Sequence, residues 1–320
     1  MKMKVLYHDN CFDGVASAAV FSRFYHERIR PEAEIFYSGL AHRPDSIFGD
    51  VEFDGDENAI VDFKYNSSDA ITWWFDHHQS AFLSSEDETH FRHDNSGRKF
   101  HNPEYKSCTK FIADVASGKF GFDQSSLGDL IKWADIIDGA QYKDAKTAVE
   151  LESPAMKLTL VIEAGRDPEI LHRIIRDLQY SNLPDLIAMP YIAEQIEPLF
   201  QKHLESIEII RKAAAFERDV IFFDVSNYQI EGYNKFIPYY LFPTSLYSVS
   251  VSLSRFRSKI SVGLNPWSPK QRRHNIATIC ERYGGGGHPV VGAISYRRDE
   301  IEKARSVAVE IAEELRDGSN

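Results

Sequence analysis

Four short apolar segments near the start of this 320-residue chain constrain its fold more than any other feature. They lie at Lys4–His8, Glu34–Tyr37, Asn58–Phe63 and Ile71–Phe75, separated by polar or helical stretches. After the first segment, a run of small residues that follows Gly14 predicts a helix packed closely on a strand. Strands that alternate with helices in this way predict a parallel sheet covered on both faces.

The pattern of the chain changes twice after this region. From about 105 to 216 it is mostly helical, with apolar stripes that indicate either one helix kinked at Pro198 or two helices. A second strand-rich region follows, with strands predicted at Asp219–Val225, Tyr247–Leu253 and Lys259–Leu264. A helix over Asp299–Leu315 closes it. This order of elements predicts a second, separate α/β region.

We therefore predict an α/β chain with two domains, which its length and its 43% hydrophobic content allow. A doubly wound parallel-sheet domain is expected at 1–187, a helical connector at 188–216, and a smaller α/β domain with a mixed sheet at 217–320. No Gly/Ser-rich linker marks the boundary between them.

Composition excludes several classes of function. The net charge of −11 disfavours binding to long duplex nucleic acid. The three scattered cysteines build neither a disulfide framework nor a zinc cluster, and they favour a reducing, cytoplasmic location. The most apolar later run, at 236–254, is broken by Pro238 and Pro243. We expect no membrane span and no signal peptide.

Residue types that bind metal ions follow three of the predicted strands. The residues are His8, Asp13, Asp62, Asp76, His77 and His78. Ligands of open parallel sheets bind outside the carboxyl ends of the strands, where these side chains are expected. Aspartate and imidazole suit Mn²⁺ or another divalent first-row ion better than a structural zinc. Two adjacent histidines alone could be solvated turn residues, but three strand ends with such residues indicate a metal site.

The segment ERYGGGGHPVVGA is the second candidate site. Four glycines cost folding entropy, which indicates that the backbone approaches something closely. Bare N–H groups can form an anion cradle, whereas the alternative is a flexible hinge or a tight turn. Any of the nearby Arg255, Arg257 and Lys259 could bind a terminal phosphate, and a guanidinium group does so through two hydrogen bonds. The predicted substrate-binding residues are His78, Arg255, Arg257, Gly285, Gly286, Gly287 and His288.

The segments HDNCFDG, VDF, DHH and WADIIDGA resemble, in this order, the four motifs of the DHH phosphoesterase superfamily. GGGGH resembles the signature of the associated DHHA1 domain. Together these motifs cover nearly the whole chain, which is similar to RecJ-like and oligoribonuclease-like members. The resemblance implies an N-terminal DHH domain that binds metal and catalyses, and a C-terminal DHHA1 domain that binds substrate.

The resemblance also implies roles for single residues. The implied metal ligands are His8, Asp13, Asp62, Asp76, His77 and Asp138. Asp62 is expected to bridge two ions and His78 to lie near the substrate phosphate, so both are the implied catalytic residues. Cys11 stands where many members have an aspartate, and His8 is the expected substitute. In the fourth motif Asp138, directly before Gly139, is preferred over Asp135.

The implied activity is hydrolysis of phosphoric esters by a water that two Mn²⁺ ions activate, with Mg²⁺ or Co²⁺ as possible replacements. The expected substrates carry phosphodiester or phosphomonoester bonds: short oligoribonucleotides, dinucleotides or a nucleoside bisphosphate. A polyphosphatase or pyrophosphatase is one alternative, and a non-catalytic nucleotide sensor is another. Tyrosines before the later strands slightly favour nucleotides. No protein partner is indicated, and the oligomeric state stays open, with a dimer possible.

Overall fold

The structure is a computed structural model that describes residues 1–41, 47–49, 51–165, 167–228, 230 and 232–317. The chain divides into two compact units. The first unit comprises Met1–Tyr142 and Glu152–Leu199. The second comprises Lys143–Leu151 and the chain from Phe200 onward. The predicted domain limits near 187 and 216 stay predictions.

The first unit contains a five-stranded parallel sheet with the strand order β2-β1-β3-β4-β5. Its strands are β1 (Lys2–His8), β2 (Glu34–Leu40), β3 (Glu57–Val61), β4 (Ile71–Asp76) and β5 (Lys99–His101). The strands predicted from the apolar segments are β1 to β4, while β5 was not predicted. Every residue of β3 is buried, as expected for a strand covered on both faces. The predicted parallel sheet is therefore confirmed.

Helices make up most of the chain between β5 and the second sheet, as the sequence predicts. The helices are α1 (Phe12–Arg28), α2 (Ser85–Arg92), α3 (Cys108–Phe120), α4 (Gly128–Asp138), α5 (Ala145–Glu150), α6 (Pro154–Ala164), α7 (Pro168–Leu178), α8 (Leu183–Ile187), α9 (Pro190–Ala213), α10 (Ile237–Leu241), α11 (Ile276–Glu281) and α12 (Ile301–Asp317). Of the two alternatives for the region around Pro198, the structure has one continuous helix, α9. Within the described residues, no helix combines the length and apolar composition needed to cross a membrane.

Helix α1 packs directly on the first sheet because its small residues let the two backbones approach. Ala16, Ala18 and Ala19 are fully buried in a core that also contains residues of α3, α4, α6 and α7. The other face of the sheet is covered by a separate cluster around Leu6 and Trp74. Both faces of the sheet are therefore covered, as the doubly wound prediction requires.

The second unit contains a six-stranded mixed sheet with the order β10-β11-β9-β8-β7-β6. Its strands are β6 (Ala215–Glu217), β7 (Val220–Asp224), β8 (Tyr247–Leu253), β9 (Arg257–Leu264), β10 (Gly286–His288) and β11 (Val291–Arg297). Strands β7 and β8 are parallel and the other pairs are antiparallel. Helices α11 and α12 pack on one face, where Ile276 and Ile311 contact the core. The predicted mixed sheet is confirmed.

Candidate metal centre

Three neighbouring strands of the first sheet deliver the predicted ligands to one edge. His8 ends β1, Asp62 follows β3 and Asp76 ends β4, and β3 lies between the other two strands. Asp62 has a positive φ of 57°, which is uncommon for a residue other than glycine. Its backbone N–H donates to the carbonyl oxygen of Phe75 at 2.9 Å. A buried residue in such a strained conformation is typical of functional sites.

His77 lies at the centre of a group of carboxylates. Its Nε2 is 3.4 Å from Oδ1 of Asp62, 3.6 Å from Oδ2 of Asp13 and 3.4 Å from Oδ2 of Asp138. Its Nδ1 lies 3.1 Å from the backbone carbonyl oxygen of Tyr105. A proton on Nδ1 can therefore be donated to that carbonyl, which leaves Nε2 facing the carboxylates as a ligand atom.

His8 and Cys11 both lie beside Asp62. Nδ1 of His8 is 3.4 Å from Oδ2 of Asp62, and ligand atoms of His8, Cys11 and Asp62 lie within 4.8 Å of one another. Burial, together with the nearby charges of Asp62 and Asp13, raises the pKa of the Cys11 thiol well above its ordinary value. A protonated thiol is a poor ligand, so the geometry is compatible with the predicted substitution of His8 for the first-motif aspartate.

Asp76 holds the ring of His78. Its Oδ1 lies 2.6 Å from Nδ1 of His78 and accepts the backbone N–H groups of His77, at 2.8 Å, and His78, at 3.2 Å. The carbonyl oxygen of His78 lies 2.9 Å from Nε2 of His101. Burial lowers the pKa of His78, but the carboxylates of Asp76 and Asp62 together outweigh this effect, so that the net shift is upward. The contact between Asp76 and Nδ1 fixes the orientation of the His78 ring. Nε2 is then the ring nitrogen that can contact another group.

Asp13 is anchored by the N-terminus of α3. Its carboxylate accepts the N–H of Cys108 at 2.7 Å, the N–H of Thr109 at 3.0 Å and the hydroxyl of Thr109 at 2.6 Å. A Cβ atom at Gly14 would overlap the carbonyl oxygen of His8, so this glycine allows α1 to begin close to β1. The helix N-terminus partly offsets the charge of the buried carboxylate. The role of Thr109 is not predicted from the sequence, although Ser107 before an apolar run is a recognisable N-cap signal.

The two candidate aspartates of the fourth motif have different partners. Asp138 is the last residue of α4 and lies next to His77. Asp135, one turn earlier, accepts a hydrogen bond at 2.6 Å from the hydroxyl of Ser107, the N-cap residue of α3. This arrangement is compatible with the predicted preference for Asp138 as the ligand, and it gives Asp135 a structural role.

The donor atoms of this cluster fit a divalent cation. Among the described residues, both carboxylate oxygens of Asp62, Oδ2 of Asp76 and Nε2 of His77 are buried without a hydrogen-bond partner. Burial and repulsion from Asp62 raise the pKa values of Asp13 and Asp138. Buried charges of one sign are costly unless an opposite charge compensates them. Oxygen and imidazole donors in this arrangement suit Mn²⁺ or a similar ion.

Asp62 itself remains ionised. Burial raises its pKa, but its contacts with His77 and His8 outweigh this and lower the pKa to about 2. A carboxylate must be deprotonated to bind a metal ion. Asp62 therefore meets this condition at neutral pH.

The four glycines at 284–287 belong to the second unit, and the local backbone structure explains why most of them are glycines. Gly284 has a φ of 77°, in the left-handed region. Cβ atoms at Gly285 and Gly287 would overlap backbone carbonyl oxygens of β11. These glycines therefore allow a tight turn and close pairing of β10 with β11, in line with the alternative of a tight turn. Gly286 has open space and His288 is exposed, so binding of an anion here stays a prediction.

The predicted arginines lie in and beside the hairpin that joins β8 and β9. Arg257 begins β9, and its Nη1 donates to the hydroxyl of Ser295 on β11 at 3.2 Å. The carbonyl oxygen of Arg255, in the turn, accepts a hydrogen bond from Arg298 at 3.5 Å. Arg257 therefore lies in the same sheet as the glycine strand, while its binding to substrate stays a prediction.

The whole chain is similar to solved structures. The pGpG-specific phosphodiesterase PggH from Vibrio cholerae matches 98% of this chain and 100% of its own, with a TM-score of 0.72 and 17% identity. A DHH domain whose parent protein is described as a member of a family of ribosomal proteins matches 98% of this chain and 87% of its own, with a TM-score of 0.54 and 12% identity.

RecJ from Thermus thermophilus, solved in complex with Mn²⁺, matches 98% of this chain with a TM-score of 0.52 and 11% identity. The match covers 52% of RecJ, so the chain spans about half the length of that protein. No protein-family model and no curated protein matches the sequence. At these identities the similarity establishes the architecture, and the chain has the fold of the DHH-type phosphoesterases.

Proposed function

We propose that this chain is a metal-dependent phosphodiesterase that hydrolyses small nucleotide substrates. The observation that carries the proposal is the position of His77, whose Nε2 lies within 3.6 Å of carboxylate oxygens from Asp13, Asp62 and Asp138. These residues come from separate stretches of the chain, and all of them except Asp138 are buried. The fold, shared with PggH and RecJ, supports the same class of chemistry.

The ligand set of the proposed centre is His8, Asp13, Asp62, Asp76, His77 and Asp138, with Asp62 in the bridging position. Two bound divalent ions would supply an activated water and neutralise charge on the phosphoryl group. Mn²⁺ is the proposed ion because oxygen and imidazole donors predominate, and Mg²⁺ and Co²⁺ have related preferences. RecJ, which shares the fold, was solved with Mn²⁺ and with Mg²⁺.

The side chains around this ligand set orient it. Tyr105 and Asp76 fix the rings of His77 and His78 through their Nδ1 atoms. Nε2 of His78 can then donate a hydrogen bond to a phosphoryl oxygen, and the contact with Asp76 stabilises the protonated ring that donates it. The side chain of His78 is 38% exposed, so it is accessible to a substrate. These residues would bind and orient the phosphate group in the reaction.

A linear dinucleotide is the substrate we propose first. PggH, which is described as pGpG-specific, matches 98% of this chain over its own full length. The net charge of −11 also disfavours long nucleic acids, because their phosphates would be repelled. Short oligoribonucleotides and a nucleoside bisphosphate remain in the same chemical class.

A hydrolysis panel tests this proposal. The purified protein is incubated with pGpG, a short RNA, 3′-phosphoadenosine 5′-phosphate and polyphosphate, with Mn²⁺ and with EDTA, and the products are separated by chromatography. We expect Mn²⁺-dependent release of mononucleotides from pGpG. Release of phosphate from polyphosphate alone would support the polyphosphatase alternative. Tight binding of nucleotides without any turnover would support the sensor alternative.

A further inference from the structure

One face of the second sheet is free of acidic side chains on four of its strands. The face that packs on α11 and α12 carries apolar residues such as Val249, Ile260 and Ile294. Because side chains alternate along a strand, the neighbouring residues project from the opposite face. On β8, β9, β10 and β11 these are Ser248, Ser250, Ser252, Arg257, Lys259, Ser261, Gly263, Gly286, His288, Val291, Ala293, Ser295 and Arg297. The chain as a whole has 48 acidic and 37 basic residues, so a face that has only cationic charges is unexpected.

Part of this face is already covered. The hydroxyl of Tyr233 donates to Ser250 at 2.8 Å, and the hydroxyl of Tyr239 lies 2.8 Å from that of Ser248. Gly263 faces the same Tyr239 hydroxyl. The part of the face that is left for a ligand therefore centres on Lys259 in β9.

Lys259 lies in a row of hydroxyl groups. In the strand register it stands directly opposite Ser252 of β8 on one side and Ser295 of β11 on the other. The Cβ atoms of directly opposed residues lie about 5 Å apart, so all three side chains can contact one small group. Ser261 projects from the same face two residues further along β9.

Lys259 has no acidic partner. Its ammonium group makes no hydrogen bond and no ion pair with any residue that the structure describes. The side chain is half-buried, and burial together with Arg257 lowers its pKa. A partly desolvated ammonium group next to a second cation is unfavourable unless an anion compensates it.

The groups around Lys259 are donors that suit a phosphate. Arg257 is held in place by its hydrogen bond to Ser295. The hydroxyls of Ser252 and Ser261 make no side-chain hydrogen bond with described residues. Guanidinium, ammonium and hydroxyl groups together match the several acceptor oxygens of a phosphate group.

We propose that Lys259, together with Arg257, Ser252, Ser261 and Ser295, forms a phosphate-binding site of the second unit that holds a phosphate group of the nucleotide substrate. The site rests on the proposed function for the nature of its ligand. It goes beyond the predicted role of Arg257 because it assigns the central contact to Lys259. Gly286 lies in the adjoining row of the same sheet, opposite Ala293, which is itself opposite Ser261.

Calorimetry on the intact protein in EDTA tests the site without metal chemistry. The probes are guanosine 5′-monophosphate, guanosine and inorganic phosphate, and the variants are Lys259→Gln, Lys259→Arg and the control Lys212→Gln, which removes an exposed lysine of α9. We expect Lys259→Gln to weaken nucleotide binding about 10- to 100-fold. Lys259→Arg should retain most of the affinity, and Lys212→Gln should bind as the natural protein does.

The probes separate the possible sources of the phosphate group. Binding of guanosine 5′-monophosphate that is much tighter than that of guanosine and inorganic phosphate supports a nucleotide phosphate as the ligand. Equal binding of the nucleotide and inorganic phosphate would overturn the nucleotide assignment. Unchanged nucleotide binding by a folded Lys259→Gln, checked by its thermal melt, would overturn the site itself.

Hydrolysis of pGpG with Mn²⁺ by the same variants distinguishes this proposal from the proposed function. If the natural protein hydrolyses pGpG and Lys259→Gln raises the KM with a smaller change in kcat, both proposals hold. If hydrolysis occurs and Lys259→Gln changes neither binding nor KM, the phosphate site is wrong while the function stands. If no substrate is hydrolysed but nucleotide binding depends on Lys259, the site stands and the function fails.

Discussion

Each unit of this chain has a cluster of charged side chains, acidic in the first unit and basic in the second. In the first unit the carboxylates of Asp13, Asp62 and Asp138 surround His77, and the first two are buried. No lysine or arginine forms an ion pair with them among the described residues. In the second unit one sheet face has Lys259 and Arg257 but no acidic side chain on β8, β9, β10 or β11. Either arrangement is unfavourable by itself because like charges are held together. The ligand that we propose for each unit would offset this cost: a divalent cation in the first unit and a phosphate in the second.

The two units also differ in how their side chains are positioned. The cluster of the first unit is built at the ends of strands and is held by the N-terminus of α3. The cationic row of the second unit lies in the middle of strands and is set by their register. The first arrangement depends on a few specific contacts, whereas the second follows from strand pairing. Changes to single residues should therefore affect the first unit more.

The largest effect is expected for Asp62→Asn, which removes a carboxylate from the acidic cluster of the first unit. Asp62 contacts both His8 and His77, so its replacement removes the group that two ions would share. Loss of a ligand should reduce hydrolysis of pGpG at least ~100-fold, because even residues that only orient ligands contribute 10–100-fold. Initial rates over a range of Mn²⁺ concentrations measure this. Asp135→Asn is the matched control, and equal losses in both variants would refute the assignment.

A somewhat smaller effect is expected for Thr109→Val, which keeps the shape of the side chain and removes the hydroxyl that donates to Asp13. Mn²⁺ affinity should fall about 10- to 100-fold because the carboxylate loses an orienting hydrogen bond. Thr109→Ser should restore most of the affinity, since the hydroxyl returns. Titration with Mn²⁺, followed by electron paramagnetic resonance, measures free and bound ion. Unchanged affinity in Thr109→Val would show that the Thr109 hydroxyl does not position the ligand.

Asp138→Asn should change stability in opposite directions with and without metal. In EDTA the variant should melt a few degrees higher, because the burial of the Asp138 charge and its repulsion from Asp62 are both relieved. About 1 kcal/mol corresponds to roughly 2–4 °C for a domain of this size. With Mn²⁺ the variant should gain less stability than the natural protein. Thermal melts under both conditions test this, and a lower melting temperature in EDTA would contradict the view that the cluster is repulsive.

The smallest expected effect is a loss of stability in acid. It comes from His203, which belongs to the second unit and not to the carboxylate cluster. His203 is buried, with Nε2 2.7 Å from the carbonyl oxygen of Val149, and burial lowers its pKa although this hydrogen bond raises it. The neutral ring stabilises the fold fully above the unfolded pKa of about 6.5, and this contribution is lost as the pH falls below that value. Urea unfolding at pH 7.5 and 5.5 should show a smaller loss for His203→Gln than for the natural protein. An equal loss would assign the acid sensitivity to other groups.

Much of the first unit could be predicted from the sequence because apolar strands and polar strand ends leave a local signal. The segment ITWWF followed by Asp76 is such a case, and the structure has β4 ending at that residue. The contact between Asp13 and Thr109 could not be predicted in the same way, because it joins residues far apart in the sequence. Polar contacts between distant elements depend on how helices pack, which periodicity does not encode.

In the second unit, a local sequence pattern is a less reliable guide to the ligand site. Four glycines before His288 indicate close approach to a ligand, but overlap with β11 already accounts for Gly285 and Gly287. Arg255, Arg257 and Lys259 are all candidates for phosphate binding from the sequence, but only the register of β8, β9 and β11 shows that serines flank Lys259 and that no acid does. Register is a property of the assembled sheet, so it is weakly specified by a single strand sequence.

The central claim is that the carboxylates and imidazoles of the first unit bind divalent metal ions. Anomalous diffraction at the manganese edge, from crystals grown with Mn²⁺, tests it most directly. We expect two anomalous peaks in contact with Asp62, one beside His8 and one beside His77. An active, Mn²⁺-dependent protein whose crystals show no peak at Asp62, or show it elsewhere in the chain, would refute the proposed metal centre.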